Sequence, residues 1–170
     1  VRVVANLPFY ISTAIIQALM KHSSDLFDIT LMLQREVVER ITSQPGGREY
    51  GYLTVLVKYH CEAIELFQVA PAAFSPVPKV WSAVMRLRPH TIPPATVSDE
   101  SRFFSMVRSA FAHRRKTILN NLKAWSNCPG ERPPILAALG RCSIDPRRRA
   151  ETLTIAEFVA LHEAITAKKR

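Results

Sequence analysis

Val1-Arg2-Val3-Val4-Ala5, a helical stretch over 13–21, and Ile29-Thr30-Leu31-Met32-Leu33 together decide the fold class. The two β-branched runs read as strands bounded by polar or turn residues, and Ile15, Ile16 and Leu19 between them fall at helical spacing. Strand, helix, strand is the order of a βαβ unit, whose strands run parallel and are expected to be buried on both faces. Residues 35–42 and 52–59 predict two further helices, the first stopped by Gln44-Pro45-Gly46-Gly47. The runs 63–69 and 80–87 are joined by Pro71-Ala72-Ala73-Phe74-Ser75-Pro76-Val77-Pro78, a connection too short for a crossover, so an antiparallel pair is expected. The first half therefore reads as the end of an α/β sheet closed by a hairpin.

Working outward, residues 90–98 carry prolines without periodicity and predict a linker between a first domain over 1–89 and a second over 99–170. The second is expected to be all-helical, with four short helices. Phe103, Val107, Ala110 and Phe111 share one face, and Ile118, Leu119 and Leu122 continue the pattern. Pro133 and Pro134 open a helix that Gly140 can close, and Thr154-Ile155-Ala156-Glu157 is a capping-box signature. Trp125 is expected to end a helix and pack.

With 170 residues, 48% hydrophobic and 22% charged, the composition is that of a globular chain, and no apolar run approaches a membrane span. Cys61, Cys128 and Cys142 show neither CxxC nor Cys/His ligand spacing, which argues against a disulfide framework or zinc site and for reduced thiols in the cytosol. His22, His60, His90, His113 and His162 likewise lack ligand spacing, so no metal is expected. The net charge of +9 is uneven: residues 1–90 hold nine Lys/Arg against seven Asp/Glu, residues 91–170 fourteen against seven. A basic half on a balanced fold favours a polyanionic partner, since each phosphate neutralised releases counterions. The sequence starts without an initiator methionine and with a strand entered midway, the expectation being that it is the carboxyl-terminal part of a longer protein.

Asn6-Leu7-Pro8-Phe9 follows the first strand directly, and in open α/β sheets ligands bind beyond the carboxyl ends of strands. An exocyclic base amine is a poor nucleophile because its lone pair is delocalised into the ring. A carboxamide oxygen and a backbone carbonyl aimed at its two hydrogens would draw the nitrogen toward a nucleophilic geometry, Pro8 would stiffen the turn, and Phe9 would stack on a flipped base. The tetrapeptide by itself reads equally well as a strand-ending turn.

These residues belong to a set. Asn6 to Ser12, Met32 to Arg40, Tyr50-Gly51-Tyr52-Leu53, Phe74 to Val84 and Phe111 to Thr117 occur in one order along the chain. In that set the sequence resembles the rRNA adenine N6,N6-dimethyltransferase family, most closely the KsgA (RsmA) branch acting on small-subunit rRNA. The resemblance implies a Rossmann-like methyltransferase sheet followed by a helical rRNA-binding domain, with S-adenosylmethionine as methyl donor. It makes Asn6, Leu7, Pro8 and Phe9 the catalytic residues, with Asn6 also near the donor, and Phe9 and Phe74 the two rings that sandwich the base. Tyr10 stands where the family commonly has asparagine. The expected rRNA contacts are Lys79, Arg108, Arg114, Arg115, Lys116, Arg147 and Arg148. Arg114-Arg115-Lys116 sits between two apolar helical stretches, and at about 100° per residue the three side chains fan around the axis, so solvent or phosphate must receive them.

The chain's five glycines form no G-x-G turn after a strand, so most of the donor site is expected to lie outside these residues and the 170 residues alone to be inactive. A sheet lacking its central strands would expose an edge and an apolar face, inviting self-association. A non-catalytic ribosome-assembly module and an Erm-like enzyme of large-subunit rRNA are the alternatives.

Overall fold

The computed structural model describes residues 1–92, 94–123, 125 and 135–167. Pro93 of the expected linker and Cys128, Pro133 and Pro134 lie outside them, as do the basic residues Lys168, Lys169 and Arg170. The chain divides into two compact units: Val1–Gln44 with Leu53–Pro94, and Pro45–Tyr52 with Ala95–Arg170.

The first unit is a four-stranded sheet. Its elements are β1 (Arg2–Asn6), α1 (Ser12–Met20), β2 (Asp28–Gln34), α2 (Arg35–Thr42), α3 (Tyr52–His60), β3 (Cys61–Val69) and β4 (Ser82–Pro89), with Tyr52 itself in the other unit. The strand order is β1-β2-β4-β3, with β1 and β2 parallel and β4 antiparallel to both β2 and β3. The register pairs Ile29 with Leu87, Leu31 with Met85 and Leu33 with Ala83. All six are fully buried on the face against which α2 packs, and Ile16 and Met20 of α1, Val37, Val38 and Ile41 of α2 and Val55 and Val57 of α3 are buried in the same unit. Each such aliphatic side chain removed from water stabilises the fold by about 1.5–3 kcal/mol.

The opposite face is bare: the general expectation of parallel strands buried on both sides fails, while the expectation of an exposed apolar face holds. Along β1 and β2 burial alternates instead: Val4 is 82% exposed, and Phe67, on the same side of β3, is 57% exposed. Strand period two sends alternate residues to a side that no described helix of this unit covers. A bulge between Glu65 and Phe67 shifts the register of β3, leaving Ile64 and Phe67 on that bare side opposite Arg86 and Val84.

The second unit is helical: α4 (Glu100–Ala110), α5 (Ile118–Lys123), α6 (Ile135–Arg141) and α7 (Ile155–Thr166). Phe103, Met106, Val107, Ala110, Ile118, Leu122, Phe158 and Leu161 form its core. Asp99 caps α4 by accepting the Arg102 N–H at 2.9 Å, and the Thr154–Glu157 capping box opens α7 as its sequence signature predicts. Trp125 is buried, donating from Nε1 to Ser105 Oγ at 3.1 Å.

Gly140 does not close α6, contrary to the sequence expectation; it lies within the helix. Termination comes three residues later, where Ser143 takes φ +57° while Ser143 N–H donates to Gly140 O (3.1 Å) and Ile144 N–H to Leu139 O (2.9 Å). Those two bonds are a Schellman cap, with buried Leu139 and Ile144 supplying its apolar contact.

Candidate functional site

The ladder between β1 and β2 runs one bond past β1, from Leu7 N–H to Met32 O at 3.1 Å, and the Leu7 side chain is buried. The chain then turns. Pro8 carbonyl accepts Ile11 N–H at 3.2 Å, and Phe9 carbonyl accepts the hydroxyl of buried Ser12 at 3.2 Å. Residues 7–11 are thus tied to the sheet at one end and to the first turn of α1 at the other. Asn6, at the last position of β1, stays exposed.

The facing wall comes from the connection between β3 and β4. Ala73 N–H donates to Ala70 O and Phe74 N–H to Pro71 O, making a single 3-10 turn that sets Phe74 in place, and a cis Ser75–Pro76 peptide follows. Together the two segments border an open cavity of about 350 Å³ lined by Asn6, Leu7, Pro8, Phe9, Phe74, Ser75, Pro76 and Pro78. That volume lies at the small end of the roughly 300–1,000 Å³ usual for small-molecule sites. No lining residue is ionisable. The slot offers two half-buried aromatic rings, proline walls, a carboxamide and backbone carbonyls. Such a set can stack a flat heterocycle and accept hydrogen bonds from an amine, and it holds no side chain able to act as a general base at neutral pH.

Asn6, Leu7, Pro8, Phe9 and Phe74 are therefore brought together, although 64 or more residues separate Phe74 from the others in sequence. Lys79 lies exposed next to lining residue Pro78, and Tyr10 points away from burial at 86% exposure. Ser12, Ser75, Pro76 and Pro78 are additions that the sequence did not single out as functional; the only prior sign was their place inside the quoted motifs.

The remaining basic residues belong to the second unit. Arg114, Arg115 and Lys116 are all exposed, in a turn between α4 and α5 rather than on a helix, so the expected fanning about an axis does not arise. The turn closes through Lys116 N–H to His113 O at 3.0 Å. Arg108 is exposed in the last turn of α4. Arg147 is held by Asp145 at 3.0 Å, which keeps that carboxyl below its usual range.

Arg148 differs most from its expected role. Its guanidinium donates to both carboxylate oxygens of Glu157, at 2.5 and 3.2 Å, and to the carbonyl and hydroxyl of Thr152. The same Glu157 completes the capping box of α7 by accepting Thr154 N–H at 2.7 Å, and these bonds, Arg148 first, hold its carboxyl below the usual range. Arg148 is spent on joining the loop before α7 to that helix.

Among the described residues no cluster of His, Cys, Asp or Glu could hold a metal ion, and no helix is long and apolar enough to cross a membrane. Cys61 is a buried free thiol pushed up to about 12 by desolvation, and Cys142 is a half-buried one.

The chain is 45% identical over 166 residues to the ribosomal RNA small subunit methyltransferase A of Geobacillus thermodenitrificans, covering 96% of this chain and 56% of that protein. With the protein of the same name from Alcanivorax borkumensis it shares 46% over 160 residues, covering 94% and 54% respectively. Among solved structures it resembles a dimethyladenosine transferase from Plasmodium falciparum, with TM-score 0.80, 25% identity, and coverage of 94% of this chain and 64% of that one. It also resembles the 23S rRNA methyltransferase ErmE, with TM-score 0.66, 25% identity, and coverage of 98% and 65%. The chain spans about half the length of the curated relatives it matches. A family model described as "Ribosomal RNA adenine dimethylase" matches residues 1–166, and the chain belongs to that family.

Proposed function

We propose that this chain supplies the base-binding and rRNA-docking part of an S-adenosylmethionine-dependent rRNA adenine-N6,N6-dimethyltransferase acting on small-subunit rRNA. The observation that carries the reading is the uncharged cavity that unites Asn6, Leu7, Pro8, Phe9 and Phe74 at the carboxyl end of β1.

In this reading a flipped adenine slides between the rings of Phe9 and Phe74. Its amine donates one hydrogen to Asn6 Oδ1 and the other to the Leu7 carbonyl. Pro8 carbonyl already accepts Ile11 N–H, which leaves that of Leu7 the less committed acceptor. Both acceptors draw the nitrogen lone pair out of conjugation. S-Adenosylmethionine, when bound, supplies the electrophilic methyl of its sulfonium. No ionisable side chain lines the cavity, so the proton shed by the cationic nitrogen leaves to water.

The residues present account for the acceptor side of this chemistry only. Gly46 lies in the second unit at φ +86° and Gly140 inside α6, so among the described residues no strand runs into a glycine-rich turn that could cradle the donor. By the family resemblance Asn6 would also lie near the donor. Docking of the rRNA backbone falls to Arg114, Arg115 and Lys116, whose exposed charges the turn gathers, with Lys79 beside the cavity. Arg148, bonded to Glu157, is left out of this set.

The test is Asn6→Ala in the intact protein. Loss of one preorganised acceptor is expected to lower kcat by about 100-fold or more while rRNA affinity stays within a few-fold. Unchanged turnover would overturn the role of the carboxamide.

A further inference from the structure

In the second unit Arg108 has, among the described residues, an aromatic ring as its partner and no carboxylate within 4.0 Å. Arg35, Arg48, Arg86, Arg147 and Arg148 each have an Asp or Glu within 4.0 Å. Arg108 instead lies over the ring of Tyr52, its guanidinium carbon 4.8 Å from the ring centroid, and donates from Nη2 to Tyr52 Oη at 3.2 Å. Tyr52 is itself braced edge-on by Phe104, with ring centroids 6.4 Å apart.

The segment 45–52 fixes this arrangement. Gly46 N–H donates to Glu151 O at 2.6 Å, and buried Tyr50 packs its ring 6.1 Å from Phe111. Phe104, Arg108 and Phe111 stand at i, i+4 and i+7, so the segment's two tyrosines run along one stripe of α4 and into the turn that carries Arg114, Arg115 and Lys116. A guanidinium clamped on an aromatic ring keeps its full charge and most of its five N–H donors, and its fork matches phosphate geometry. Clamping also restricts its rotamers before a ligand arrives, which lowers the ordering cost of binding.

We propose that Tyr52 is a positioning residue that holds Arg108 as a phosphodiester contact, so that the rRNA surface extends from the 111–117 turn to the stacked pair on segment 45–52. This rests on the rRNA reading above.

The experiment titrates a small-subunit rRNA fragment into the full chain and reads log Kd against log salt concentration for wild type, Arg108→Gln, Tyr52→Ala, Tyr52→Phe and Lys116→Gln, with thermal unfolding run alongside. Arg108→Gln is expected to weaken binding several-fold and to reduce the salt slope by about one, the signature of one lost phosphate contact, at unchanged melting temperature. Tyr52→Ala is expected to weaken binding while keeping the slope, because the charge remains but is no longer held, and Tyr52→Phe to restore affinity through the ring alone. If Lys116→Gln flattens the slope and Arg108→Gln does not, the pair is only a surface stack and this inference falls while the rRNA reading stands. If neither changes it, the rRNA reading falls as well. Wild-type affinity in Tyr52→Ala would refute the positioning role.

Discussion

Replacing Arg148 with alanine separates a structural arginine from a phosphate-binding one. The side chain is about 31% exposed and Glu157 about 30%, so the pair is screened only in part. A two-pronged arginine–carboxylate contact at such a site contributes about 1–2 kcal/mol, above the usual surface pair because its geometry is fixed and charge-assisted. The bonds to the Thr152 carbonyl and hydroxyl, lost together, add about 0.5–1 kcal/mol. The expected loss is therefore about 2 kcal/mol, which for a chain of this size lowers Tm by roughly 4–8 °C. Thermal unfolding followed by circular dichroism checks it, and Arg148→Lys is expected to recover less than half, since an ammonium cannot reproduce the fork. Glu157 is held below its ordinary range in the fold, so its contribution is present above the unfolded carboxylate pKa and is lost as pH falls through the folded one. The gap between wild type and Arg148→Ala should accordingly close in acid. An unchanged Tm with a flattened salt dependence of rRNA binding would refute the structural assignment and return Arg148 to the docking set.

Other expectations follow from single features. His60, bonded to Ser23 Oγ at 3.2 Å, is pushed down to about 4 by desolvation first and by His90 second. The unfolded chain thus takes up a proton that the fold refuses, so stability is full above about pH 6.5 and declines toward pH 4, by up to about 3 kcal/mol. Chemical denaturation across that range should show the slope, and His60→Gln should flatten it; a slope unchanged in the variant counts against this assignment. Ser143→Gly relieves a left-handed non-glycine residue in the cap of α6 and is expected to raise stability by about 0.5–1 kcal/mol, whereas no gain in urea midpoint would mean that the serine bears no strain. The bare sheet face is expected to make the 170-residue chain associate as concentration rises, with Phe67→Lys moving onset upward in sedimentation velocity; a wild-type chain that stays monomeric throughout contradicts this.

Much of the architecture could be read from periodicity because its signals are local. The spacing over 35–42 marks α2 to the residue, and the short proline-rich connection fixes β3 and β4 as antiparallel. Thr154 and Glu157 announce their own helix start. The order β1-β2-β4-β3 was beyond reach, because which edge of β2 receives the hairpin depends on contacts between residues far apart in sequence. Burial of β1 was overestimated for a related reason: an apolar strand looks the same whether one face or both are covered, and Val4 shows that only the pattern of neighbours decides. Gly140 misled because glycine's tolerance of left-handed backbone says where a helix can end, while the meeting of Leu139 and Ile144 decides where it does.

At the candidate site, motif residues were visible but their meeting along one cavity was not. Nothing in the spacing of Phe9 and Phe74 shows that they line one cavity; the 3-10 turn at Pro71–Ala73 and the anchored turn after β1 bring that about. Charge runs read least well. Arg147 and Arg148 match Arg114 and Arg115 in composition, yet Asp145 and Glu157 occupy the first pair and no carboxylate meets the second among the described residues.

The most direct test of the central claim, that the cavity receives an adenine by stacking it and bonding its amine, is titration of adenosine into the isotope-labelled chain followed by NMR. Saturable shifts of the Asn6 side-chain amide and of the Phe9 and Phe74 rings are expected, abolished by Phe74→Ala and weakened when inosine, which lacks the amine, replaces adenosine. Shifts that spare those three residues, or that persist unchanged in Phe74→Ala, would contradict it.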